Sequence, residues 1–337
     1  MCLKELETRY IFSQGGLFEK DFSIVFRNEE KGNVYIPINS VKELYLFNEC
    51  TITTKLLTLL SRNNIVVHFF DYNMNYQGTF YPKEAFISGK VTIKQGQAYL
   101  EHRLEIAKNI VLYISKNIYS VLYHYYRHDV KEIKSYLDWL RNDVPHMLNA
   151  AITINQVLYV EGQIWYQFYD CFKYILPEDF VMNKRVRRPP DNPINALISF
   201  GNTFLYTKTI TEIYQTHLNQ EISFLHEPSE GRFSLCLDLS EVFKPIIVFK
   251  TIFDCVNHKK ITVEKDFDKN LNFCLLNENG KKIFIQELDK RLHSTFKNEK
   301  LNRTISYQQA IKLDGYKLIK FLLEGKEFIP FSEEKHY

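Results

Sequence analysis

Asp238 and Glu241 stand in "FSLCLDLSEVF", an apolar run in which carboxylates are out of place, and His226 lies a short loop upstream. On a helix the two acids share one face, being three residues apart. Leu235, Leu237, Val242, Phe243, Ile246 and Ile247 surround that face with hydrocarbon. Two carboxylates crowded into such a setting repel each other and resist desolvation until a proton or a cation relieves them. His226 adds an imidazole nitrogen. That mixed set suits a hard or borderline divalent ion, Mg²⁺ or Mn²⁺, better than a structural zinc. The turn-forming "EPSEGR" that follows the histidine would fold it back onto the helix start. The competing reading makes the acids helix caps and the histidine an ordinary satisfied side chain.

A further carboxylate belongs with them. In "NQVLYVEGQIWYQF", Glu161 has Ile154, Val157, Leu158, Ile164, Trp165 and Phe168 at offsets −7, −4, −3, +3, +4 and +7. Every one is apolar, so the charge points from a buried stripe, where a carboxylate without a partner is costly. A buried Glu–Arg pair is the alternative to a shared site. Gly162, a poor helix former, would permit close approach by another element. Between these parts, "NKRVRRPPDNPINAL" sets Lys184, Arg185, Arg187 and Arg188 ahead of Pro-Pro and a helix start. Arginine forks beside backbone N–H groups suit phosphate, although a solvated charge run would look the same. Arg232 and Lys244 complete the candidate contacts to a polyanion.

The elements that must position these groups change character along the chain. "RYIF", "FSIVF", "NVYIPI", "ELYLF" and "IVVHFF" read as strands, interrupted by one amphipathic helix in "TITTKLLTLLSRNN". This β-rich domain is expected over residues 1–85 and a linker over 86–95. From there to residue 337 the period is helical. One long helix is expected through "AYLEHRLEIAKNIVLYISKNIYSVLYHYY" and a second from Val144 to Ile175. A third starts at Pro193 behind Asp191 or Asn192, and a fourth spans Asp238 to Asn257. "FCLLNENGKKIFI" carries a hairpin signal, and a last helix ends at Gly325. The fold class is α+β: a small N-terminal β-rich domain followed by a larger, mostly α-helical C-terminal domain that carries the site.

Composition bounds the partners. The net charge of +3 is mild, and acids balance bases over residues 1–90, so the positive excess lies in the helical part. Six spread cysteines without a C-x-x-C pair read as buried, reduced thiols in a cytoplasmic protein. No run of apolar residues is long enough for a membrane span.

Together these residues resemble the CRISPR-associated adaptation integrase family, the universal Cas protein numbered one. The likeness rests on Glu161-Gly162 in a long helix, on "RRPPDNPINALISFG", and above all on residues 224–245, "FLHEPSEGRFSLCLDLSEVFKP". A weaker likeness in "YIFSQGGLFEKDFSIVF" and residues 64–82 extends it over most of the chain. The sequence departs from the family where Trp165 and Tyr166 stand in place of an arginine a turn after Glu-Gly, and at "VFK", residues 248–250. The resemblance implies metal ligation by Glu161, His226 and Glu241, with Asp238 as a neighbouring acid required for catalysis. It further implies a Mg²⁺- or Mn²⁺-dependent DNA endonuclease and integrase that inserts short fragments of double-stranded DNA into a CRISPR array. The implied assembly is a homodimer, self-associating through the β domain, joined by a small second adaptation protein. A stand-alone nuclease on branched DNA and a catalytically silent DNA-bridging scaffold are the alternatives.

Overall fold

The computed structural model describes residues 6–28, 32–71, 75–82, 86–187, 189–228, 233–270, 273–298 and 301–333. The chain divides into two units, Met1–Ala85 and Phe86–Tyr337.

The first unit is built on eight strands and one helix: β1 (Glu7–Ile11), β2 (Gly15–Lys20), β3 (Ser23–Asn28), β4 (Gly32–Pro37), β5 (Val41–Leu46), β6 (Cys50–Ile52), α1 (Thr54–Arg62), β7 (Val66–Phe70) and β8 (Tyr76–Phe80). They form two four-stranded sheets, ordered β1-β5-β7-β8 and β4-β3-β2-β6. Alternation along β5 sends Leu44 and Leu46 into a core shared with Leu17, Ile24 and Val67. Thr53 caps α1 by accepting from the Leu56 N–H, and Leu56 and Leu60 bury the helix stripe against that core.

The second unit is helical, with short hairpins near its end. Its elements are α2 (Gly89–Glu101), α3 (Arg103–Arg127), α4 (Lys134–Ala150), α5 (Ile154–Asp170), α6 (Phe172–Ile175), α7 (Pro193–Tyr214), α8 (Ser234–Lys244), α9 (Lys250–Asn257), α10 (Val263–Asp266), β9 (Phe267–Asn270), β10 (Phe273–Leu276), α11 (Glu278–His293), β11 (Thr295–Asn298), β12 (Arg303–Ser306) and α12 (Tyr307–Glu324). α7 is buried on nearly every side, as its apolar character all round requires, and forms the centre of the unit. Asn192 caps it and Pro193 occupies its first turn.

Several boundaries differ from the sequence expectation. The stretch 86–95 is no linker in its later part, because α2 begins at Gly89. The helix expected from Val144 to Ile175 is three: α4 carries Pro145 inside it and stops at Ala150, a Thr153–Gln156 capping box starts α5, and α6 follows from Phe172 once α5 has ended at Asp170. "FCLLNENGKKIFI" does not fold as a hairpin on itself. Asn277 accepts from the Gly280 N–H and starts α11, so β10 pairs backwards with β9. The expected stop at Gly325 is present, with φ of +66°.

Two features aim the site. Trp165 and Phe168 of α5, with Phe172 of α6, wedge against Phe249 and Phe253, with ring centroids 5.0–6.4 Å apart across that junction. α8 runs into a π-helical turn at Pro245–Phe249, where Pro245 brings no N–H. Just before it, the buried Asn117 amide of α3 donates to the Val242 carbonyl of α8 at 2.9 Å and bridges to Phe331 and Glu333 of the C-terminal segment. Gly201 lets α7 close on this turn: a Cβ there would lie 2.6 Å from Val248 Cγ1.

Candidate active site

Asp238, one turn into α8, is fully buried and has both carboxylate oxygens spent on the His226 loop. The N–H groups of Phe224 and Leu225 donate to Oδ2 at 2.7 and 2.8 Å. The His226 N–H and its Nδ1 reach Oδ1 at 3.0 and 2.8 Å. Ser223 Oγ donates to the His226 carbonyl and Arg103 Nε to the Phe224 carbonyl, closing the loop from outside. Asp238 is thus a positioning residue. With Nδ1–H given to the carboxylate, the neutral ring carries its lone pair on Nε2.

Glu241 lies one turn further along the same helix, almost wholly buried, and is ion-paired with Lys244. Glu161 is half-buried on the inward stripe of α5, with Val157, Ile164, Trp165 and Phe168 buried around it. Its carboxyl is pushed up to about 7, by burial first and by the Glu241 charge next. Lys244, His226 and a hydrogen bond from Trp165 act in the opposite direction. For His226, burial disfavours the charged ring, but the Asp238 bond and the charges of Asp238, Glu241 and Glu161 outweigh it and raise the pKa. Glu161, His226 and Glu241 therefore share one electrostatic neighbourhood, although α5, a loop and α8 supply them separately.

As the side chains stand, no group of three or more His, Cys, Asp or Glu among the described residues closes around a metal position. Lys244 holds Glu241, and Asp238 has no oxygen to offer. The chemistry of the remaining donors still fits a divalent cation: two carboxylates and one imidazole nitrogen, with positive charge in short supply, as the raised Glu161 records.

The basic segment divides by role. Arg185 is half-buried and structural, donating at 3.0 Å to Asn195 Oδ1 and at 2.9 Å to Ser199 Oγ on α7. It also bonds the Tyr169 phenol, which burial pushes up to about 12 and on which Glu241 and Arg187 act as well. The segment thus lies beside the carboxylates. Lys184 and Arg187 are exposed, whereas Arg188 and Arg232 lie outside the described residues. Lys244, expected on DNA, is ion-paired with Glu241.

Sequence reasoning missed Asn195 and Tyr169. Asn195 is fully buried; its amide donates to the Lys184 carbonyl and to Asp191, so it fastens the whole basic segment. A polar residue at a core position of "NPINAL" was the available signal. Gly162 also differs from expectation: among the described residues none packs against it, and it is exposed.

In chain order a β-rich unit is followed by a helical unit that carries this carboxylate–imidazole cluster. The family profile described as CRISPR associated protein Cas1 matches residues 9–290. The CRISPR-associated protein Cas1 1 of Methanobrevibacter ruminantium is 45% identical over 96% of this chain and 97% of its own. The CRISPR-associated endonuclease Cas1 of Fusobacterium nucleatum is 41% identical over 96% of this chain and 95% of its own. A solved Cas1 protein from Thermotoga maritima superposes with a TM-score of 0.85 at 34% identity, covering 98% of this chain and all of that one. The chain belongs to the CRISPR-associated Cas1 family. A casposase bound to its integration product shares the fold, with a TM-score of 0.80 at 19% identity, covering 99% of this chain and 94% of that one.

No described helix is long and apolar enough to cross a membrane. The described cysteines are free, and burial pushes Cys171 and Cys255 up to about 12.

Proposed function

We propose that this chain is a divalent-metal-dependent DNA endonuclease and integrase of CRISPR adaptation, joining the 3′-hydroxyl ends of a short duplex fragment to phosphates at a CRISPR repeat. The observation that carries the reading is the shared neighbourhood of Glu161, His226 and Glu241 beside an exposed cationic segment. Relatives named as CRISPR-associated endonucleases and the fold shared with an integration-product complex support it.

Glu161, Glu241 and His226 Nε2 would hold Mg²⁺ or Mn²⁺. Bound there, the ion would polarise the scissile phosphate and stabilise the charge that develops on it. Glu161 must lose its proton and His226 must present a neutral nitrogen before either can ligate. Asp238 keeps the imidazole turned. Lys184 and Arg187 bind the strand through its phosphates, with salt-sensitive and sequence-tolerant affinity. Lys244, paired with Glu241 here, would be free to turn to phosphate where an ion held Glu241. Partners are a second copy of this chain, through the near-neutral β unit, and the second protein that related complexes contain: a solved Cas6-RT-Cas1–Cas2 assembly includes a chain of this fold.

The test is a strand-transfer assay in Mn²⁺ with Glu161→Ala. Loss of transfer with folding and DNA binding intact is expected. Undiminished transfer refutes the assignment.

A further inference from the structure

Gly201, Gly280 and Gly315 are each explained by packing, because a Cβ at any of them would come within 3.0 Å of a neighbouring atom. Gly162 is not. It occupies the middle of α5, where glycine is among the least favourable helix residues, yet a Cβ there meets nothing within 4 Å. The fold alone does not require it.

Its surroundings are specific. On the helix surface its neighbours at three and four residues are Leu158, Tyr159, Trp165 and Tyr166. Tyr159 and Tyr166 are 63% and 73% exposed, unusual for rings of that size, and Trp165 bonds the Glu161 carboxylate. Gly162 lies about 100° round the helix from Glu161 and two turns before Tyr169, which faces Arg185 and Arg187. The flank from Asn155 through Gly162 and Tyr166 carries no charge. It offers ring faces and bare backbone without repelling a polyanion.

We propose that Gly162 is a clearance residue for DNA: the notch it leaves seats the sugar–phosphate backbone of the strand passing from Lys184 and Arg187 to Glu161. Tyr159 and Tyr166 border the notch and stack on unpaired bases beside it. This rests on the reading of the site as a DNA strand-transfer centre, and it adds a positioning role for a residue that touches no reacting atom.

Gly162→Ala, Gly162→Val and Tyr166→Ala are compared with the unaltered full-length protein. Melting temperature and affinity for a short branched duplex are measured in chelator, and strand transfer in Mn²⁺. The alanine variant is expected to melt no lower, because alanine is the better helix former at an exposed site. Its DNA affinity falls about fivefold, and that of the valine variant further. Tyr166→Ala loses about tenfold on single-stranded arms and little on fully paired duplex. Unchanged affinity in both Gly162 variants overturns the proposal, and so does a drop in melting temperature for Gly162→Ala, which would put the Cβ inside the fold. The readouts separate the two ideas. If Glu161→Ala abolishes transfer while both Gly162 variants bind and transfer normally, only the notch is lost. If the unaltered protein binds DNA without transferring strands, the catalytic reading fails, and the affinity series still decides the notch.

Discussion

Glu161→Gln should make the metal-free protein more stable at pH 8 while removing its strand transfer. In the unfolded chain this carboxyl ionises near its ordinary 4.5, but in the fold it holds its proton up to about 7. Between those values the folded state binds more protons than the unfolded one, so stability falls as pH rises through the window. Below 4.5 both states are protonated and the charge costs nothing. Above 7 both are ionised and the full cost is present. The interval corresponds to roughly 3 kcal/mol at 1.36 kcal/mol per tenfold, an upper bound because a half-buried carboxylate gains from water and side-chain relaxation. Glutamine keeps the shape and removes the charge. Urea unfolding of both proteins in chelator, from pH 4 to 8.5, is the assay. Equal stability near pH 4 and a variant more stable by about 1–3 kcal/mol at pH 8 are expected. A second arm adds Mn²⁺ at pH 8, which should raise the stability of the unaltered protein and leave Glu161→Gln nearly unmoved. A variant less stable than the parent at pH 8 would show that ionised Glu161 is welcome in the fold, and the account of a site short of positive charge would be wrong.

Three other outcomes follow from the same geometry. Asp238→Ala strands three backbone N–H groups and the His226 ring, and should cost about 3 kcal/mol or more in unfolding measurements as well as strand transfer. Arg185→Ala should lower the melting temperature through its lost bonds to Asn195 and Ser199, whereas Arg187→Glu should leave stability within about 0.5 kcal/mol and weaken DNA binding. The slope of log affinity against log salt should fall by about 1 for Arg187→Glu. Titration of Mn²⁺ in buffers of different ionisation heat should show protons released near pH 6.5, because Glu161 and His226 both hold them above their ordinary ranges. Proton-free binding at that pH would remove them from the ligand set.

The sequence made the types of the site residues legible, and much less of how they are held. Glu161 was visible because six apolar neighbours at helical offsets leave a carboxylate nowhere else to point. The α7 start was visible because Asn-Pro is local chemistry. By contrast, Asp238 and Glu241 looked equivalent, both being acids on one face of α8. Only the tertiary path of residues 223–226 separates them, since that loop delivers three N–H donors to one carboxylate and leaves the other to Lys244. Arg185 and Arg187 likewise look alike in "KRVRR". Asn195, ten residues away, captures the first and not the second. The break between α4 and α5 was misread because apolar periodicity continues across it, and a capping box outweighs periodicity at the boundary.

Each of the three converging groups is fixed by a different device. The aromatic wedge around Phe249 sets Glu161, the Asp238 clamp sets His226, and the Asn117 brace on α8, just before the π-turn relieved at Gly201, sets Glu241. Rigid placement of two carboxylates in hydrocarbon is a standing cost, and Lys244 pairs directly with one of them only. The other shows the remainder as a retained proton. A protein selected for stability alone would remove such a carboxylate or pair it with an arginine, and Arg185 is near enough to Tyr169 to show that a guanidinium can be brought to this side. That guanidinium is spent on Asn195 and Ser199 instead. Among the described residues Glu161 has no fixed cation of its own, which is the condition a ligand for an exchangeable ion has to meet.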